Sequence, residues 1–343
     1  VFYDVTPSGI AMRLSTLQKT VFVTVGLTAV LLLVSVLAVL TGTSFTEIET
    51  LAGKRAHGVD AEKYWAIIWS YRLPRTLLAA IAGGGLASAG VVFQGVLRNP
   101  LADPYLIGIA GGGALGAVVS IVLFGERWLI GTSLCAFVGS LAAVGLVYGL
   151  ATGKRSAGYV NTVILAGVIV GSLTNALMLL IISVSGSNEM QRIMFWLMGD
   201  FSLADYRKIA ISGAFVTVLW TLIYLNANRL NLLTVGEDTA SHLGLNVSRF
   251  RTFFIAAAAM MTGTIVSLSG TVGFVGLVVP HAMRLLFGPD NRVLLPAALL
   301  GGAAFLAAAD CVARVVAYPV ELPVGVITAL TGAPFFLYLL VKK

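Results

Sequence analysis

Apolar residues run along this chain in long blocks, with neither the alternation of a half-buried strand nor the single stripe of a surface helix. Ten blocks lie between polar or charged breaks, at residues 17–41, 74–97, 104–124, 128–151, 161–184, 206–226, 250–269, 272–287, 294–316 and 322–341. Most approach the ~20 residues that cross a hydrocarbon core of ~30 Å. The pattern predicts an all-α, polytopic membrane protein with about ten transmembrane helices. Residues 12–343 then form a single transmembrane domain, and residues 1–11, which precede the sequence MRLS, are expected to be an upstream or added segment.

Two connections are long. Residues 43–72 carry a mixed-charge loop too polar for lipid. Residues 228–249 contain GEDTASHLG, a pattern for a short helix on which Thr239, Ala240 and Leu243 share a face and Gly244 closes the C-terminus. Prolines at 100, 104, 280, 296, 319, 323 and 334 fall at or near block ends, where they break or kink helices. The glycine-flanked LSGTVGFVG predicts a partial or re-entrant helix, tolerated only beside protein or a cavity.

Composition sharpens the membrane reading. Of 343 residues, 58% are hydrophobic and 11% charged, and the mean hydropathy is +0.95. The 38 glycines are spread through the apolar blocks, as in closely packed membrane helices. The net charge of +7 comes from basic residues scattered singly between blocks, with no basic face for nucleic acid. Cys135 and Cys311 lie inside apolar blocks without ligand spacing, and His57, His242 and His281 do not group, so no metal site is expected.

Two cofactor patterns fail. GGGALG at residues 111–116 has the dinucleotide-loop spacing but no preceding strand. Around Gly153-Lys154, Tyr148 stands where a phosphate loop needs glycine and Arg155 where it needs Ser or Thr. Neither a dinucleotide site nor an ATP site is therefore expected in this chain.

An even number of crossings puts both ends on one side, and Lys342 and Lys343 favour the cytoplasm. Twelve Lys/Arg then lie inside and ten outside, a bias too small to fix orientation alone. Arg72, Arg75 and Arg314 fall outside, against the usual tendency. Asp310 and Arg314 are four apart on one predicted helix and can pair. Arg284 and Arg192 read as interfacial anchors.

The run RLPRTLLAAIAGGGLASAGVVFQGVLRNPLADPYLIGIAGGGALG resembles the signature of the FecCD-type permeases, membrane subunits of ATP-driven importers for iron-siderophores, haem and cobalamin. FWLMGDF, SGTVGFVGLVVPHAMRLLFGPDNR and ELPVGVITALTGAPFFLYLL continue the resemblance in order. It implies a type II ABC importer permease fold in the bacterial inner membrane, with both termini cytoplasmic. Its implied partners are a second permease copy, two cytoplasmic ATPase subunits that bind ATP and Mg, a periplasmic substrate-binding protein and membrane lipid. It further implies that the short helix at Gly236, Glu237, Asp238, Ala240, Leu243 and Gly244 docks on the ATPase, with Glu237 and Asp238 as alternative helix caps. Arg72, Arg75 and Arg314 are implied to receive carboxylates of the binding protein. The second, fifth and tenth segments are implied to line the path, with Asn161 and Thr162 at an inner gate and Arg192 a further candidate. The substrate expected is an iron complex, haem or ferric siderophore. Cobalamin import by the same kind of permease, an ion-coupled secondary transporter and a passive channel are the alternatives.

Overall fold

A computed structural model describes residues 15–41, 65–125, 129–151, 156–317 and 320–341. The expectations for residues 1–11, for most of the 43–72 loop with His57, and for Lys154, Arg155, Pro319, Lys342 and Lys343 lie outside the described residues.

Among the described residues thirteen α-helices follow in chain order: α1 Thr16–Leu40, α2 Leu73–Val96, α3 Ile109–Phe124, α4 Leu129–Ala151, α5 Ser156–Val184, α6 Ser187–Met198, α7 Tyr206–Leu225, α8 Ala227–Val235, α9 Glu237–His242, α10 Val247–Ser269, α11 Val275–Phe287, α12 Asn291–Val315 and α13 Val324–Val341. No strand occurs among the described residues. Among the described residues seven spans are long and apolar enough to cross a membrane, and three shorter apolar helices, Ile109–Phe124, Val275–Phe287 and Val324–Tyr338, complete the ten blocks.

The second block starts earlier than Pro74. Helix runs from Trp65, with a π-turn at Ile68–Arg72 in which the Leu73 N–H reaches Ile68 O. Pro74 has no N–H to offer its i−4 carbonyl and its ring crowds that turn, so the chain widens by one residue and continues.

α2 is the spine. It packs most extensively against α12 and also touches α10, α11, α7 and α8. Glycine makes the closest crossings possible. A Cβ on Gly83 would stand 2.1 Å from Gly302 O on α12, and one on Gly90 1.9 Å from Gly276 O on α11. A third crossing joins α3 to α4, where a Cβ on Gly112 would stand 2.4 Å from Gly139 O and one on Gly139 2.3 Å from Gly112 O. Backbones this close leave no room for a side chain, which is the packing small residues permit in lipid.

Three prolines lie inside helices rather than at their ends: Pro280 in α11, Pro296 in α12 and Pro334 in α13. Each removes one ladder bond. At Pro280 the freed carbonyl belongs to Gly276, and the buried Gln94 amide of α2 donates to Leu277 O at 3.3 Å and to Gly276 O at 3.5 Å. Its oxygen accepts from Arg284 at 2.8 Å, so Arg284 is held by α2 within the chain.

The LSGTVGFVG break is real and sits against protein. α10 stops at Gly270 (φ 69°), and Phe274 (φ 68°) opens α11. Between them Val272 N–H donates to the Tyr105 hydroxyl at 2.9 Å. Tyr105 is set by Asp103, which accepts its N–H at 2.9 Å at the start of a 3-10 turn, Pro104–Ile107. Burial pushes the Asp103 carboxyl up to about 6, against the lowering effect of that hydrogen bond.

Candidate docking, coupling and pathway sites

The three arginines singled out in the sequence come together at one end of the molecule. Arg75 on α2 meets Asp310 on α12 at 2.9 Å and Glu321 at 2.6 Å. Arg314 meets Asp310 at 3.1 Å, the expected i, i+4 pair. Asp310 is buried and thus serves two guanidinium groups from two helices.

Two of these arginines turn inward rather than outward. Arg72 and Arg314 are buried and donate to the end of α1: Arg72 to Val39 O at 3.2 Å and Leu40 O at 3.4 Å, Arg314 to Ala38 O at 2.9 Å and Thr41 O at 3.3 Å. The last carbonyls of a helix have no partner within it and carry partial negative charge. Arg72 and Arg314 satisfy those of α1, and tie it to the helix of the spine and to α12 respectively. What reaches the surface is the Arg75–Glu321 edge, where Glu321 is 41% exposed and Arg75 11%.

At the other long connection, α8 buries Leu230 and Leu233, and Gly236 turns the chain at φ 148°, a conformation reserved for glycine. α9 follows and ends as the sequence predicts. Gly244 (φ 82°) donates to Ser241 O at 2.9 Å, and Leu245 N–H to Ala240 O at 3.0 Å. These two bonds make a Schellman cap.

The faces of α9 differ from the sequence expectation. Ala240 is fully buried inside the chain, while Leu243 is 64% exposed, so the two do not share a docking face. Leu245 N–H bonding back to Ala240 O fixes that inward side. Asp238, Thr239, Ser241, His242, Leu243 and Gly244 form the exposed surface.

Glu237 is neither exposed nor a cap. It is buried and pairs with Arg251 of α10 at 2.9 Å, and the Arg251 guanidinium lies over the Tyr159 ring of α5 at 3.6 Å. Three elements are thus joined at the foot of α5. No local pattern reveals this group, because Tyr159 and Glu237 are distant in sequence. Glu237 Oε2, Arg251 Nε and the Tyr159 hydroxyl are buried without a hydrogen-bond partner, so the cluster holds spare bonding capacity.

Asn161 begins an exposed face of α5 that continues through Leu165, Val168, Ser172, Asn175 and Leu179, with Thr162 half-buried beside it. Asn175 is a polar group in the middle of an apolar helix, where facing lipid is costly. Arg192 is half-buried on α6, an amphipathic helix that inserts Ile193 and shows Met194 and Phe195. The second segment offers little lining surface, since its span is 83% buried by the rest of the chain. The middle of α8 is held separately: Asn231 donates to Asp290 at 2.8 Å. The hydrogen bonds and charge of Arg292, with that of Asn231, hold the Asp290 carboxyl down at about 2. No group of three or more His, Cys, Asp or Glu able to hold a metal occurs among the described residues.

A profile of the FecCD transport family matches residues 27–342. The ABC transporter permease protein YvrB of Bacillus subtilis is 41% identical over 83% of this chain and 82% of its own length. The cobalamin import permease BtuC of Halobacterium salinarum is 44% identical over 80% and 73%, and the hemin transport permease HmuU of Yersinia pestis 37% over 81% and 84%. A solved structure described as an inward-facing metal-chelate type ABC transporter superposes with a TM-score of 0.83 at 32% identity, covering 94% of this chain and 99% of the other. With a fold of ten apolar helices and a family match across nearly its whole length, the chain belongs to the FecCD transport family, as a membrane-embedded ABC importer permease.

Proposed function

We propose that this chain imports a metal chelate, in the first reading an iron complex such as haem or a ferric siderophore, as one of two copies in a homodimer. Two cytoplasmic ATPase subunits bind ATP and Mg, and a periplasmic binding protein delivers the substrate. Both termini are cytoplasmic, which places α9 inside and the Arg75–Glu321 edge outside. Cobalamin is the second reading, favoured by the relatives named for it, at 44% and 39–40% identity against 37% for the hemin permease.

The observation that carries the mechanism is the Glu237–Arg251–Tyr159 group. ATP-driven movement of the ATPase is received at the exposed side of α9, through Leu243 and the side-chain-free backbone at Gly244. Glu237 passes it to Arg251, and the stacked guanidinium passes it to Tyr159, two residues from Asn161. α5 then tilts between two access states, with Asn161 and Thr162 at the inner gate, Ser172 and Asn175 on the path and Arg192 near its other end. Binding-protein carboxylates approach the Arg75 rim, with Arg72 and Arg314 positioning it from beneath. An ion-coupled mechanism would need a carboxylate free to titrate in the membrane, and Asp310 is held by two arginines.

Reconstituting the permease with its ATPase and binding protein, and measuring accumulation of labelled haem, ferric siderophore and cobalamin, tests the reading. Vanadate-sensitive uptake of one iron complex is expected. Uptake of cobalamin alone selects the second reading, and uptake that needs no ATPase overturns both.

A further inference from the structure

Where α7 gives way to α8, a cavity of about 370 Å³ is lined by Asn226, Arg229, Arg249, Phe250 and Phe253. Its two arginines come from different elements, Arg229 from the first turn of α8 and Arg249 from the first turn of α10. Both are exposed, and neither has a carboxylate partner among the described residues. Arg229 lies over the Phe250 ring at 4.7 Å and donates to Asn226 Oδ1. Its guanidinium is therefore oriented at the cavity wall while its charge is left without a counter-ion.

The surroundings identify the ligand chemistry. On α7, Val218, Leu222 and Leu225 are exposed at helical spacing, and the same row continues into Arg229. On α10, exposed Arg249, half-buried Phe253 and exposed Ala256 follow at helical spacing, and α7 packs against α10. An apolar row on α7 thus ends at a basic cavity lined by two aromatic rings. Trp220 and Tyr224 stack at a centroid distance of 5.0 Å at this end of α7, the kind of pair that marks a membrane–water interface. A small anion in water has no use for the apolar row, and an acidic peptide has none for a row that continues along a membrane span.

We propose that this cavity binds the headgroup of an anionic phospholipid, with the phosphate between Arg229 and Arg249 and an acyl chain along the exposed face of α7. The lipid holds the α7–α8 corner at the membrane surface, next to the connection that leads into α9. Basic pockets at the ends of membrane helices recognise such headgroups through charge, at about fivefold in affinity per arginine.

The test is lipid titration of the purified full-length permease followed by native mass spectrometry, with phosphatidylglycerol as the probe. Arg229→Gln and Arg249→Gln are each expected to weaken its binding about fivefold, and Arg229→Lys and Arg249→Lys to retain most of it. Arg207→Gln, at the opposite end of α7, is expected to leave it unchanged. Equal loss in Arg207→Gln overturns the site in favour of diffuse charge, and equal binding of phosphatidylcholine overturns anion selectivity. Inorganic phosphate that displaces phosphatidylglycerol at similar concentration makes this a free-anion site instead. Loss of the co-purifying ATPase with lipid binding intact assigns the cavity to protein carboxylates. If the Gln variants do not fold, the Lys variants and the fall of binding with ionic strength decide it, since a salt-insensitive interaction is inconsistent with a headgroup held by charge.

Discussion

α2 and α5 are both long, apolar and glycine-bearing, yet they do opposite work. The α5 span has the higher mean hydropathy, 2.3 against 1.8, and is only 28% buried within the chain where that of α2 is 83% buried. Apolar character thus records what a helix faces, lipid or a partner for α5, and not how tightly it packs inside its own chain. Close approach of backbones does that, and it needs glycine at particular positions. α2 has Gly83 and Gly90 against carbonyls of α12 and α11, whereas a Cβ on Gly171 of α5 would meet nothing within 4 Å.

The contrast is most severely tested at the anchored end of α2. Asp310→Ala removes the carboxylate shared by Arg75 and Arg314. Leaving buried charges without a partner costs about 3–5 kcal/mol, so thermal unfolding in detergent should show a large loss of stability. A variant as stable as the parent would mean that the spine is held elsewhere. Next in size is Gly90→Ala, whose methyl group must displace the α11 backbone at a cost of about 1–3 kcal/mol. Gly171→Ala should be neutral or slightly stabilising in the same measurement, and equal effects would remove the distinction between the helices.

Changes at α5 should alter transport and not folding. Tyr159→Phe keeps the ring under Arg251 and loses a hydroxyl that has no partner, so substrate moved per ATP hydrolysed should hold. Tyr159→Leu removes the ring and should lower that ratio several-fold with the ATPase still bound. A ratio unchanged in Tyr159→Leu would reject the relay. Leu243→Asp tests the docking surface separately, through co-purification of the ATPase.

The smallest effect is one of pH. The folded state holds Asp290 at about 2, below its ordinary 3.8, so its contribution is complete above about pH 4 and is lost as pH falls through about 2. The pair is partly exposed and its share of stability is modest. Asp290→Asn should flatten a shallow loss of stability in this window, measured by fluorescence-monitored unfolding.

The blocks of apolar sequence carried the fold because membrane helices must be long and unbroken in hydropathy. Gly244 was legible too, since a helix stop is written within a few residues. The i, i+4 spacing of Asp310 and Arg314 predicted their pairing, but Arg75 lies 235 residues from Asp310, and no local pattern joins them. For the same reason Arg72 and Arg314 read as outward charges until the end of α1 is placed beside them. Ala240 read as a docking residue because helical spacing shows which residues share a face without showing which way it points. The prolines of α11, α12 and α13 looked like ends, since the sequence does not show which side chain replaces a missing backbone bond.

Gln94 does that for Pro280, and its position has a mechanical meaning. A ladder bond fixes two turns of one helix to each other, but this one ties α11 to a neighbouring helix through a side chain that can rotate. Bending α11 at Pro280 therefore has one ladder hydrogen bond fewer to break, and a change of the Gln94 rotamer lets go of the carbonyls that it holds in its place, with Arg284 following its oxygen. The molecule contains a latch one turn from the close Gly90–Gly276 crossing, one that can open without unravelling the helix it closes.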